Sequence, residues 1–317
     1  MPGLSAQRAK RLKPLLDAFA DGRPWDDRVR ADPVELVLRY SRPDDIEVAA
    51  LLCACLAYGR ADLFKPVVAR VLGVMGQRPA AFAAAFAAHP DRAAFEGIVY
   101  RFNRPEDLRA LVAAVGHVRR VHGSLGERFE ALYLEAGGAA GAVRAALARL
   151  AGELREAPPV GPLLRRRGGR GLRHLLPDPS GPGASKRWNL YLRWMVRGPD
   201  GVDLGLWKGV PKSALVVPLD AHVQRVARAL GLTGRRDFSW RTAEEITASL
   251  RRLDPDDPVR FDFALCHLGM SGLCPARRAR ERCAVCVLRH SCLVFARVRR
   301  GGARGRIGPE VAMVGAG

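Results

Sequence analysis

Residues 218–231 read PLDAHVQRVARALG. Val223, Val226, Ala227 and Leu230 recur at the helical period, Gly231 supplies a stop, and Asp220 stands where an N-cap belongs. Outward from this helix the same pattern repeats. Thr242 and Glu245 have capping-box spacing for a following helix. Upstream, a helix beginning at Lys186 places Trp188, Tyr191, Leu192 and Met195 on one face, a spacing that reads as core, with Arg193 and Arg197 aligned behind Lys186. Asp45 to Ala57 puts Ile46, Ala49, Ala50, Cys53 and Ala57 on one face, with Cys53 and Cys55 as small apolar filler. A second helix runs roughly from Leu63 to Met75. Pro105, Glu106 and Asp107 form the first turn of another, with acids at the positive end of the dipole, and helices continue to about Leu154. Long alternating apolar patterns are absent, so the fold class is all-α. Between Ala157 and Gly183 the composition shifts to Pro, Gly and Arg, which predicts a loop.

The chain has 317 residues, 48% hydrophobic and 26% charged, enough for one or two globular domains. Without an apolar run of membrane length or an apolar stretch after the basic N-terminus, it reads as soluble and cytoplasmic, with no membrane partner. A net charge of +20 and a pI near 10.8 favour an anionic partner, nucleic acid first. The excess is nearly all arginine, a bias that coding composition also produces. The tail after residue 296 lacks periodicity and is expected to be basic and mobile.

Four of seven cysteines are packed into Cys274-x8-Cys283-x2-Cys286-x5-Cys292. In a cytoplasmic chain this is a metal-ligand pattern rather than a disulfide one. With a single Cys-x-x-Cys and unequally spaced outer cysteines, a [4Fe-4S] cluster suits it better than zinc, which stays the alternative. Arg277, Arg278, Arg280, Arg282 and Arg289 interleave with these cysteines, and His290 is surplus to the four thiolates.

The segment Pro218-Leu219-Asp220-Ala221-His222-Val223-x-Arg225-Val226, with a four-cysteine loop some fifty residues later, resembles endonuclease III and the helix-hairpin-helix DNA glycosylases. Glu47 to Arg60 is similar to the helix and turn that begin their six-helix barrel. The family hairpin, L-P-G-V-G-x-K-T, has only a divergent likeness here, Leu176-Pro177 followed by Gly181-Pro182-Gly183-Ala184-Ser185-Lys186. Its lysine lies 34 residues before Asp220, a longer interval that resembles archaeal 8-oxoguanine glycosylase. The whole chain most resembles an uncharacterised bacterial family with the core SKR…LRWMVR…PLDAHV, a distant relative of the glycosylases. The first cysteine spacing also departs from the family's x6.

The resemblance implies a six-helix-barrel domain over residues 44–217. It implies a discontinuous helical domain from 1–43 and 218–296 that carries the iron–sulfur loop 274–292, and a tail at 297–317. It implies base-excision repair of double-stranded DNA by a monomeric DNA glycosylase with AP-lyase activity, a hydrolase and lyase removing an oxidised base, 8-oxoguanine preferred. Lys186 would attack C1′ to form a Schiff base, with Asp220 stabilising the sugar cation. Lys208 and Lys212 are rival nucleophiles, and Arg193 and Arg197 are expected to depress the Lys186 pKa. Tyr58 and Arg60 are wedge candidates, although Tyr58 also reads as packing. Gly181, Gly183, Arg187, Arg193 and Arg197 are candidate phosphate contacts. His222 and Arg225 would support the site structurally. The rival reading is a noncatalytic iron–sulfur nucleic-acid-binding or damage-sensing protein.

Overall fold

In a computed structural model, the residues described are 3–22, 25–139, 141–164, 169–274 and 280–296, without the side chain of Arg280. They form helices α1 (Ala6–Asp21), α2 (Asp26–Ala31), α3 (Val34–Val37), α4 (Pro43–Leu56), α5 (Ala61–Met75), α6 (Pro79–Ala88), α7 (Pro105–His122) and α8 (Leu125–Glu135). Then come α9 (Ala142–Glu156), α10 (Val160–Leu164), α11 (Arg170–Leu175), α12 (Lys186–Val196), α13 (Ala221–Leu230), α14 (Trp240–Arg251), α15 (Asp262–Met270) and α16 (Arg280–Ala284). Among the described residues there is no strand, only two isolated bridges, so the protein is all-α. No single helix among them is long and apolar enough to cross a membrane.

The helix α4 departs from the one-faced helix expected. Every residue from Asp45 to Leu56 is buried, because α3, α5, α6 and α12 pack around it. Cys53 and Cys55 lie within that core, as their composition suggests. Burying Glu47 is made tolerable by partners: it accepts from the amides of Leu125 (2.9 Å) and Gly126 (2.7 Å) at the start of α8, and pairs with Arg119. Gly126 has to be glycine, since a Cβ there would stand 2.4 Å from Trp207 Nε1. The aromatic face of α12 is core: Trp188, Tyr191, Leu192 and Met195 are all buried.

Two local expectations need correction. The N-cap of α14 is Ser239, whose hydroxyl accepts from the Thr242 amide, while Glu245 turns to Thr233. Ser239 sits three residues before Thr242, so the capping signal was displaced by nearly one helical turn. The presumed loop 157–183 holds the short helices α10 and α11, whose Leu164, Leu172 and Leu175 are buried against the bundle. A few apolar residues in contact with α7 and α9 suffice to override a Gly- and Arg-rich composition.

α1 closes the C-terminal half. It packs on α15 and on 3-10 turns at Pro258–Phe261 and Arg289–Ser291. Arg8 donates to the carbonyls of Leu230 (2.8 Å) and Ser291 (3.3 Å). α13 and α15 come very close: a Cβ on Gly269 would lie 2.7 Å from the His222 Cβ.

Candidate functional site: a lysine–carboxylate cavity

A 24-residue connection joins the end of α12 to the start of α13, and the N-termini of the two helices converge. Asp220 is the N-cap of α13, its Oδ1 accepting from the amides of His222 and Val223, both at 2.9 Å. That leaves Oδ2 to face the first residue of α12, where Lys186 Nζ lies 3.1 Å away. The capping and catalytic readings of Asp220 are therefore compatible, one on each oxygen. Lys186 keeps 36% of its side chain accessible and Asp220 16%. Both line a cavity of about 410 Å³ whose wall also includes His222, Asp262, Cys266 and His267. Lys208 and Lys212, the other amines considered, are exposed and outside it.

The electrostatics differ from expectation. Burial works to lower the Lys186 pKa, but the Asp220 carboxylate outweighs it and holds the ammonium above the ordinary lysine value. For Asp220, burial works to raise the pKa, and Lys186 with the Val223 amide outweighs it and keeps the carboxyl below its usual range. Arg193 and Arg197 do not depress the lysine because their charge is already matched internally. Arg193 pairs with Asp203 (3.0 Å) and Asp262, and Arg197 with Asp203 and with Asp257 (2.9 Å). Neither is a surface phosphate contact: Arg193 is 3% and Arg197 9% exposed.

The other predicted contacts divide. Tyr58 is half-buried, donates to Asn103 Oδ1 and packs on Tyr100 and His174, so the packing reading applies rather than a wedge. Arg187 is drawn inward too, donating to Cys55 O (2.7 Å) and His174 O and lying over the Tyr58 ring. Arg60 is exposed, pairs with Asp62, and stands at the cavity rim. Gly183 bridges to Ser239 beside the α14 cap, and Gly181 offers its carbonyl to Arg144 at 2.8 Å. Ser185, just before Lys186, takes φ of 49°, a left-handed turn that aims α12 at the cavity.

Sequence reasoning missed Asp262, Cys266 and His267. A signal was present: Asp262, Cys266 and Met270 stand four apart on an otherwise apolar helix. Asp262 is fully buried, and burial pushes its carboxyl up to about 6 with Asp220 nearby adding to the rise, against the opposing pull of Arg193. Burial likewise brings His267 down to about 4.

A second cavity, of about 570 Å³, shares the α13 wall. Gln224, Arg225 and Arg228 line it together with Cys274, Cys283, Cys286 and Cys292, so the four clustered cysteines do face one space. Burial raises the Cys274 and Cys286 thiols, and Cys292 adds to both. Among the described residues no three His, Cys, Asp or Glu side chains are gathered tightly enough to hold a metal ion. Arg225 ties this loop to the first cavity, donating to Cys274 O (2.9 Å) and Gly269 O (2.7 Å) and contacting His222 Nδ1. Arg277, Arg278 and the 297–317 tail lie outside the described residues.

Fold and site together define a helical protein with a buried lysine–aspartate pair at the junction of two helix N-termini. Residues 32–271 match the family described as protein of unknown function DUF2400, and the chain belongs to that family. The match includes every lining residue of the lysine–aspartate cavity except Ala31 and ends just before the first clustered cysteine. No curated protein matches the chain.

Proposed function

We propose that the protein is a DNA glycosylase with AP-lyase activity, acting in base-excision repair on double-stranded DNA with an oxidised base, 8-oxoguanine preferred. The observation that carries this reading is the 3.1 Å approach of Lys186 Nζ to Asp220 Oδ2 inside a cavity of nucleoside size. An amine and a carboxylate so placed are the two groups the chemistry needs. In the resting protein they form an ion pair. An extruded nucleotide filling the cavity removes water, which penalises both charges and drives the ammonium proton toward the carboxylate. The freed amine attacks C1′ as the glycosidic bond breaks; the bond's electrons leave with the base, which takes the proton held by Asp220, and the restored carboxylate offsets the positive charge of the sugar adduct. A proton then passes from the lysine nitrogen to O4′ as the C1′–O4′ bond opens. The resulting Schiff base allows loss of the C2′ proton and expulsion of the 3′ phosphate.

The same reading assigns a six-helix-barrel domain to residues 44–217 and an iron–sulfur domain to 1–43 and 218–296. Cys274, Cys283, Cys286 and Cys292 would hold a [4Fe-4S] cluster. Four soft thiols around one cavity fit that group, and their sequence spacing, with a single Cys-x-x-Cys, suits it better than zinc. When bound, the cluster supplies loop closure rather than reaction chemistry. The arginines beside it, Arg225, Arg228, Arg236 and Arg289, together with the net charge of +20, suit a phosphate backbone.

Borohydride trapping on duplexes with a single 8-oxoguanine or an abasic site tests this. The expected result is a covalent adduct with the wild type and with Lys212→Ala, and at least about a hundredfold less with Lys186→Ala. Intact duplex binding with no adduct on any substrate would replace this reading with the noncatalytic damage-sensing one.

A further inference from the structure

Three reactive side chains of the first cavity meet at one atom. Cys266 on α15 lines this cavity, and its Sγ lies 3.7 Å from Asp220 Oδ2, the same oxygen that Lys186 Nζ approaches at 3.1 Å. An amine, a carboxylate and a thiol thus form a single cluster. The thiol sits at the cavity wall: its other neighbour, Met270 Sδ at 3.8 Å, belongs to a residue that is 46% exposed and lines the same space. Cys266 is itself partly accessible, unlike Cys53 and Cys55, which are sealed in the core. Burial, with the Asp220 charge adding to it, holds the thiol well above its ordinary pKa, so in the resting protein it is a protonated donor to Oδ2. The base-removing steps leave it idle.

What gives such a thiol a task is the product of the lyase step. Loss of the C2′ proton and the 3′ phosphate leaves C1′ joined to Lys186 as a protonated imine, in conjugation with a new C2′=C3′ double bond. C3′ of that unit is an electron-poor carbon, open to a sulfur nucleophile. It stands a short conjugated chain from Lys186 Nζ, and Nζ and Sγ share a common oxygen, so the electrophile forms within reach of the thiol. Resting on the Schiff-base reading, we infer that Cys266 adds to C3′ of the unsaturated 3′ end and makes the cavity a covalent holder of the cut strand. Sulfur attacks as thiolate, so the S–H proton passes to Asp220 Oδ2 while the S–C3′ bond forms, and the positive imine favours that transfer. The C2′=C3′ electrons shift toward the imine to give an enamine, and Asp220 returns the proton to C2′. The addition consumes no oxidant and loses no atom. Hydrolysis of the imine then frees Lys186 and leaves the strand end, now a saturated aldehyde, attached through sulfur. Reversal of the same addition releases it to whatever reaction next removes the sugar fragment from the 3′ end.

The test uses the full chain and a duplex already nicked at an abasic site by heat, so that one 3′ end carries the unsaturated aldehyde. After incubation, borohydride reduces the aldehyde and so fixes any thioether, and peptide mapping by mass spectrometry reads where the sugar fragment is held. The expected result is a thioether at Cys266, at least about tenfold less abundant in Cys266→Ser, whose hydroxyl is a far poorer nucleophile at the same place. A nicked duplex with an ordinary 3′ hydroxyl should give none. Absence of the fragment from Cys266 in the wild type overturns the inference, and so does a fragment carried only by Cys274, Cys283, Cys286 or Cys292. Neither outcome depends on a variant that folds. Borohydride trapping on an intact abasic duplex is read separately. Trapping at Lys186 without a thioether leaves the Schiff-base reading standing and removes this one, and loss of both signals removes both.

Discussion

The two cavities that share α13 are built on contrary principles. Around Lys186 and Asp220 the protein itself provides matched charge: every buried cation nearby has a carboxylate, and α12, α13 and α15 hold the geometry by packing. Around Cys274, Cys283, Cys286 and Cys292 the walls are partly exposed loop and short turns, and the four partly exposed thiols line one space. The difference teaches where each cavity's stability resides. One is preorganised by the fold, and on the proposed reading the other depends on what its cysteines bind.

The hardest blow to the preorganised side is Arg193→Ala. It strands Asp262 as a buried, unmatched carboxylate and takes from Asp203 one of its two arginines, and denaturant unfolding is expected to show a loss of about 3–5 kcal/mol. A loss below about 1 kcal/mol would mean that the ion network is not what holds this cavity. Cys283→Ser strikes the other side and is expected to act locally. Bound iron should fall, and amide exchange should accelerate over 280–292, while α4 and α12 keep their protection. Equal loss of protection in α12 would erase the contrast between the cavities.

The smallest effect is a pH signature confined to the first cavity. His267 is near 4 in the folded protein against 6.5 ordinarily, so the unfolded chain binds more protons between those values and stability falls as pH drops through that window. Asp262 is near 6 against 3.8, so the folded protein binds more protons between 3.8 and 6, and stability rises as pH drops there. The two oppose each other. Relative to wild type, His267→Gln should gain stability as pH falls from 6 to 4, and Asp262→Asn should lose it more steeply. Urea midpoints at several pH values check both slopes, and parallel curves for all three proteins would refute the assignment.

Legibility in the sequence follows the same divide. The cysteine cluster was visible because its four members fall within nineteen residues. Asp220 was visible as the head of a well-patterned helix. Lys186 required the hairpin likeness, because 34 residues separate it from Asp220 and only packing brings them together. The arginines were misjudged for a physical reason: helical spacing tells which residues share a stripe, but not whether an acidic residue from another element, here Asp203, Asp257 or Asp262, lies opposite. Tyr58 was ambiguous on the same ground, since its aromatic neighbours come from residues 100–102 and 174.

Arg225 gives the contrast a further consequence. One guanidinium bonds the carbonyl of Cys274 on the loop side and that of Gly269 on α15, and also touches His222 in the lysine cavity. Gly269 in turn leaves no room between α15 and the His222 Cβ. For an evolving sequence this is a ratchet: the loop can lengthen or lose its cysteines only if the anchor at Cys274 O stays in register. Drift in the cysteine loop is thus constrained by the packing of a neighbouring cavity.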